Sequence, residues 1–163
     1  MSKQFWGFLA VGLVVVGIAV SAIWTGTKGA HLELTGKILK VRSIPLEAGS
    51  SLVVVDFRVT NPSAIPLEVR DVSLSLERFK EDPLKGTEVA RADVDTMFEA
   101  KPLIGTKYND VLAPPDVIPP GKTIDRMAEA SFDAAESVVE VRKGIILHIE
   151  DVNGAAFDIT EKK

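Results

Sequence analysis

Few side chains in this sequence have the type and spacing for chemistry. Asp93, Asp95 and Glu99 form the densest acidic group in the excursion at 93–120. Carboxylates so placed can hold a hard cation or pair as acid and base. The calcium-loop pattern fails, because neither the required glycine nor the twelfth-position glutamate follows Asp93. A capping turn and a polar helix face account for these residues more simply. His31 and His148 are the only histidines. Without an HxxxH spacing or a cysteine partner they make a poor metal set, and His148 reads as a strand residue sharing a face with Ile146 and Glu150. There is no cysteine, which removes disulfides, thiolate metal sites, a cysteine nucleophile and lipidation through cysteine. No nucleophile elbow, phosphate-binding loop or dinucleotide fingerprint is present. The sequence therefore predicts no catalytic residue, no cofactor, no metal site and no identifiable small-molecule substrate. Met97 and Phe98 read as core. Tyr108 reads as a surface contact and, with Asp93 and Asp95, forms the candidate partner-contact set.

The elements that must position these residues begin with an address. Residues 5–24 contain no charged side chain. As a helix they rise about 30 Å, the thickness of a bilayer's hydrocarbon core. Phe5, Trp6 and Phe8 mark one end and Trp24 the other, where aromatic rings favour the two interfaces. Small residues at Val20-Ser21-Ala22 also fit a cleaved secretory signal. The run is longer than the usual apolar region of such signals, which favours a single-pass anchor. The short N-terminal tail, residues 1–4, suits a signal anchor with an extracytoplasmic domain, although the flanking Lys28, Lys37, Lys40 and Arg42 argue the other way. The remainder, after a linker at 25–30, suffices for one domain at 31–160, closed by a tail at 161–163. With 19 basic and 23 acidic residues in the whole chain, interspersed, no basic patch favours nucleic acid. Lys37, Lys40 and Arg42 read as solvated strand residues.

Strand patterns dominate the domain. Residues 31–42 hold alternating apolar positions around a bulge expected at Gly36, and 43–50 read as a turn with Pro45 and Gly49. Residues 51–60 are the clearest strand: Val53, Val55, Phe57 and Val59 share one face, and Val54, Asp56, Arg58 and Thr60 the other. That alternation predicts a sheet with one buried and one wet face. Residues 69–79 alternate again, with Val72, Leu74 and Leu76 inward, and a shorter strand is expected at 87–91. An excursion at 93–120 follows, with a helical turn at 94–99 capped by Asp93 and a proline-rich loop ending in a type II turn at Pro120-Gly121. Residues 122–132 form a strand. Residues 133–144 read as a helix of one to three turns, capped by Asp133 and closed by Gly144, with Val138 and Val139 facing the sheet. Strands at 145–150 and 155–160 flank an Asn153-Gly154 type I′ hairpin. Six or seven short strands with one or two short helices predict an all-β, antiparallel, immunoglobulin-like sandwich behind a transmembrane helix.

The run from Val53 to Ser63, with its Asn61-Pro62 turn, followed by Ile65-Pro66-Leu67-Glu68-Val69, resembles the WHy domain of atypical late embryogenesis abundant proteins. Residues 118–123, holding Pro120 and Gly121, are similar to that family's later turn. The resemblance spans residues 31–160 and implies an immunoglobulin-like sandwich without enzymatic activity, linked to stress protection or membrane-tethered interaction. The expectation is thus a module for binding or scaffolding, held in the lipid bilayer beside a membrane-protein partner as an accessory subunit. The alternatives are a stress-protection protein acting on client proteins, and an enzyme or cation-binding protein using the acidic excursion.

Overall fold

The computed structural model describes residues 12–18, 21, 33–46 and 49–161. Residues 12–18 are helical and their side chains are exposed. No helix among the described residues is long and apolar enough to cross a membrane. Phe5, Trp6, Phe8, Trp24, the 25–30 linker and His31 lie outside the described residues.

The chain forms mostly antiparallel sheets with a few short helices. Strands β1 (Thr35–Pro45), β2 (Ser51–Thr60), β7 (Thr123–Phe132) and β5 (Thr87–Glu88) make one sheet in the order β1-β2-β7-β5. The second runs β4 (Leu84–Lys85), β3 (Leu67–Glu77), β8 (Gly144–Asp151) and β9 (Ala156–Thr160), with β6 (Val117–Ile118) paired to β3. Helix α1 (Arg91–Ala100) and a 3₁₀ turn (Pro102–Ile104) lie between β5 and β6, and helix α2 (Glu136–Glu140) between β7 and β8. Alternation puts Val53, Val55, Phe57 and Val59 of β2 against Val72, Leu74 and Leu76 of β3 and Ile145, Leu147 and Ile149 of β8. Each such side chain, fully buried, contributes about 1.5–3 kcal/mol. Val139 is buried in the same core and Val138 packs on it, so α2 faces the sheet as its valines predict.

Three local expectations are corrected. The bulge of β1 lies between Ile38 and Lys40 rather than at Gly36, which pairs in register with Val59. Gly36 instead permits a close approach: a Cβ there would meet the Arg58 carbonyl at 2.8 Å and the Ile159 side chain of the other sheet's edge. Gly36→Ala is therefore expected to destabilise the domain by about 1–3 kcal/mol, seen as a lowered thermal midpoint. An unchanged midpoint would show that the β1 and β9 edges can part freely. At 151–155 no non-glycine residue has positive φ, so the turn is not type I′, which needs it at both central positions. Gly154 alone is left-handed (φ 86°). The buried Asp151 carboxylate shapes this turn, accepting from the Asn153 N–H and side-chain amide at 2.8 Å each and from Glu68 N–H at 2.9 Å. Helix α2 is five residues long, within the one to three turns expected, but it lacks a side-chain cap. Asp133 precedes it, and Gly144 opens β8 rather than closing a helix.

The largest difference concerns the face of β2 expected to be wet. Seven consecutive residues, Ser51 to Phe57, are buried. Segment 89–113 folds back over this outer face and closes a second core of Ile44, Leu52, Val54, Val94, Ile104, Val111, Ala113 and Met127, with Met97 and Phe98 packed against it. Val94, Met97 and Phe98 recur at helical spacing and give α1 its apolar stripe. The excursion is thus a second layer on the outside of the sheet.

Candidate functional site

Helix α1 starts at Arg91, earlier than expected, with Ala90 as an N-cap that makes no side-chain bond. Asp93 is not the cap. It sits exposed in the first turn, where a carboxylate suits the positive end of the helix dipole. Residues two apart on a helix point to different sides, so Asp93 and Asp95 do not share a face. Asp95 is held by Lys107 at 2.6 Å, a contact that also raises the Lys107 pKa. Glu99 is exposed. The structure does not gather the three acids, and among the described residues no group of three or more potential ligands could hold a metal. His148 pairs across the β8–β9 ladder with Asp158 at 2.6 Å.

Tyr108 is where sequence reasoning placed it, on the surface at 61% exposure. Lys40 and Arg42 approach its ring at 5.1 and 5.3 Å from the centroid. Such cation–π contacts are worth about 0.5–2 kcal/mol. Sequence alone makes Arg42 a solvated strand residue, but its side chain is only 9% exposed. It donates to Asp56 at 2.8 Å, and to the carbonyls of Ile104 at 2.9 Å and Thr106 at 2.8 Å. Asn109 completes the Asp56 shell at 2.9 Å. Arg91 ties the helix start to the far limb of the excursion, donating to the Val111 and Ala113 carbonyls at 2.9 and 3.2 Å and pairing with Asp116. Two arginines thus staple the excursion to the sheet and to itself.

Between the limbs lies an open polar cleft of about 310 Å³ lined by Arg91, Asp95, Lys107, Asp110, Asp116 and Arg126. Asp125 and Arg58 form a bidentate pair at 2.6 and 2.7 Å on the adjoining surface, and that bonding holds the Asp125 carboxyl below its ordinary value. Beneath the excursion lies Glu129, 4% exposed, with neither carboxyl oxygen hydrogen-bonded. Burial pushes its pKa up to about 7, against the opposing pull of Lys107 and Arg42. Glu129 and Asp56 are the site residues that sequence reasoning missed. The unbroken apolar run Leu52 to Val55 could have revealed a strand buried on both faces, and with it the burial of their neighbours.

The two turn motifs, more than 50 residues apart in sequence, meet at one end of the sandwich. The side chain of Asn61 is fully buried. Its Nδ2 donates to the Ile65 and Ile118 carbonyls at 2.9 and 3.0 Å, and its Oδ1 accepts from Ser63 N and Oγ at 3.1 and 2.5 Å. Its backbone pairs with Lys122 and Gly121. Gly121 has the positive φ of 64° that a type II turn needs at its third residue, and Lys122 N–H closes the turn on Pro119 at 3.3 Å. Pro62 is exposed beside this knot.

No protein-family model matches the chain, and no curated protein matches it. Among solved structures, the putative ApaA protein from Bordetella pertussis is similar at 14% identity, over 80% of this chain and 89% of that one, with a TM-score of 0.39. A conserved hypothetical protein from Bacillus anthracis is similar at 12% identity over 78% and 87%, with a TM-score of 0.40. An uncharacterized beta-sandwich protein from Clostridium difficile 630 is similar at 13% identity over 81% and 82%, with a TM-score of 0.36.

Proposed function

We propose that the chain is a membrane-anchored, non-enzymatic binding module of immunoglobulin-like architecture, serving as an accessory subunit of a larger membrane complex. The observation that carries this reading is the exposure of the apolar helical residues: Leu13, Val14, Val15, Val16 and Ile18 are each 59–66% exposed. Seven consecutive residues cover the whole helix circumference, so no side of this stretch is packed on the chain's own domain. An apolar helix bare on all sides needs lipid or another protein. The charge-free run 5–24 has the length for the first.

The excursion is the proposed grip, with Tyr108 and Leu103, 61% and 87% exposed, as its contacts and Asp93 and Asp95 as its acidic rim. Removing residues 93–120 would be a poor test, because it strips the cover from Leu52, Val54 and Met127. Leu103→Glu combined with Tyr108→Ala leaves that cover in place. Extraction in mild detergent followed by native mass measurement should show a stoichiometric partner with the wild-type chain and its loss with the double variant. A lone wild-type monomer would overturn the subunit reading.

The second reading is a WHy-type protein that protects client proteins. It is favoured by the joining of the Asn61-Pro62 and Pro120-Gly121 turns through Asn61. It expects suppression of client aggregation by the monomer and no stoichiometric partner.

A further inference from the structure

The strongest unexplained feature is the buried carboxyl of Glu129. It lies on the outer face of β7, opposite Val54 of β2, under the excursion. Charged groups face it from each element around it. Arg42 reaches in from β1 and Asp56 from β2, while Asp95 and Lys107 belong to the excursion. Glu88 of β5 shares with it a small cavity of about 10 Å³, lined also by Val89, Val111 and Leu112, room for about one water. The two cations make their bonds elsewhere, Arg42 through its terminal nitrogens to Asp56 and two carbonyls and Lys107 to Asp95, and the buried Nε of Arg42 makes no hydrogen bond to Glu129 or to any other group. A neutral carboxyl tolerates such a site. A carboxylate with no hydrogen bond from the protein is costly there, and it gains more than that single water only if the cover lifts.

We propose that residues 90–109 form a proton-latched flap, closed over the outer sheet face while Glu129 is protonated and lifted when that proton is lost, uncovering the apolar surface of Leu52, Val54 and Met127; residues 110–112, bonded along β7 with Leu112 in the main core, stay in place. The flap includes the element proposed above as the grip, but its movement is read directly and needs no partner. The direction follows from linkage. Glu129 binds its proton more tightly closed, near 7, than open, near the ordinary 4.5. Closure is therefore fully favoured below about 4.5, weakens about tenfold per pH unit up to about 7, and is level above that, a total of about 300-fold.

Hydrogen exchange of the full chain between pH 5 and 8, corrected for the intrinsic pH dependence of exchange, reads this equilibrium. Peptides from 91–109 should lose about two orders of magnitude of protection as pH rises, while those from β3 and β8 hold theirs. Glu129→Gln, and independently Glu129→Leu, should keep the flap closed across the range. The proposal is overturned if wild-type protection is level with pH, if either variant retains the dependence or stays open throughout, or if β3 and β8 lose protection in parallel.

Discussion

Replacing Asn61 by Asp is expected to cost about 3–5 kcal/mol of folding stability at neutral pH, although the two side chains have the same shape. Nδ2 of Asn61 donates to two carbonyls, of Ile65 and Ile118, at 2.9 and 3.0 Å in a fully buried site. A carboxylate oxygen in its place would point at two acceptors with no donor between them. Ser63 would still satisfy the other oxygen. Asn61→Ala, which removes the bonds without adding a charge, should cost about 2–3 kcal/mol. The acid variant should also regain stability as pH falls. Its buried carboxyl has a raised folded pKa, so protonation favours the folded state and restores one donor. Urea titration followed by far-UV circular dichroism, in mild detergent, measures all three. An Asp variant within about 1 kcal/mol of wild type would show that the two turns are not held through this side chain.

The second large effect is expected at Arg42. Its guanidinium joins Asp56, two carbonyls of the 3₁₀ region and the ring faces of Phe98 and Tyr108. Arg42→Ala strands the Asp56 carboxylate, whose side chain is 5% exposed, with Asn109 as its remaining donor among the described side chains. Loss of one partner of a buried pair typically costs about 3–5 kcal/mol. Arg42→Lys should recover little, because a point charge cannot replace the planar fork. Arg42→Met with Asp56→Leu should recover most of the loss, since the desolvation penalty disappears with the pair. The damage should fall first on the excursion, so limited proteolysis of Arg42→Ala should cut within 91–116 before it cuts β3 or β8. Equal costs for Arg42→Ala and the double variant would mean that the pair carries no coupling.

Much of the sandwich was legible because alternation is a local property. Residues 51–60 were assigned from Val53, Val55, Phe57 and Val59 alone, and the observed strand has those bounds. Residues 72–77 alternate inward and outward as read, and Pro120-Gly121 forms the turn that its two residue types dictate. Less legible was anything decided by a neighbour distant in sequence. Arg42 looks like any strand arginine until the carbonyls of Ile104 and Thr106 arrive beside it. Gly36 looks like a bulge until Ile159 crosses it. Asn153-Gly154 looks like a type I′ turn until the Asp151 carboxylate takes the Asn153 amide and leaves only Gly154 left-handed.

By itself, then, the sequence determined the charge-free run at 5–24, the long strands, the Pro120-Gly121 turn and the absence of any thiol, because each follows from side-chain type and short-range periodicity. Only the tertiary structure decided which face of the first sheet meets water. The excursion that covers it lies 30 or more residues from the strand it covers, and its apolar stripe carries no mark of its destination. That one packing choice turns Arg42 and Asp56 from surface residues into a buried staple. It also turns Glu129 from a solvated strand position into a buried acid, because a carboxyl's proton affinity is set by the water and charge around it and not by its place in the chain.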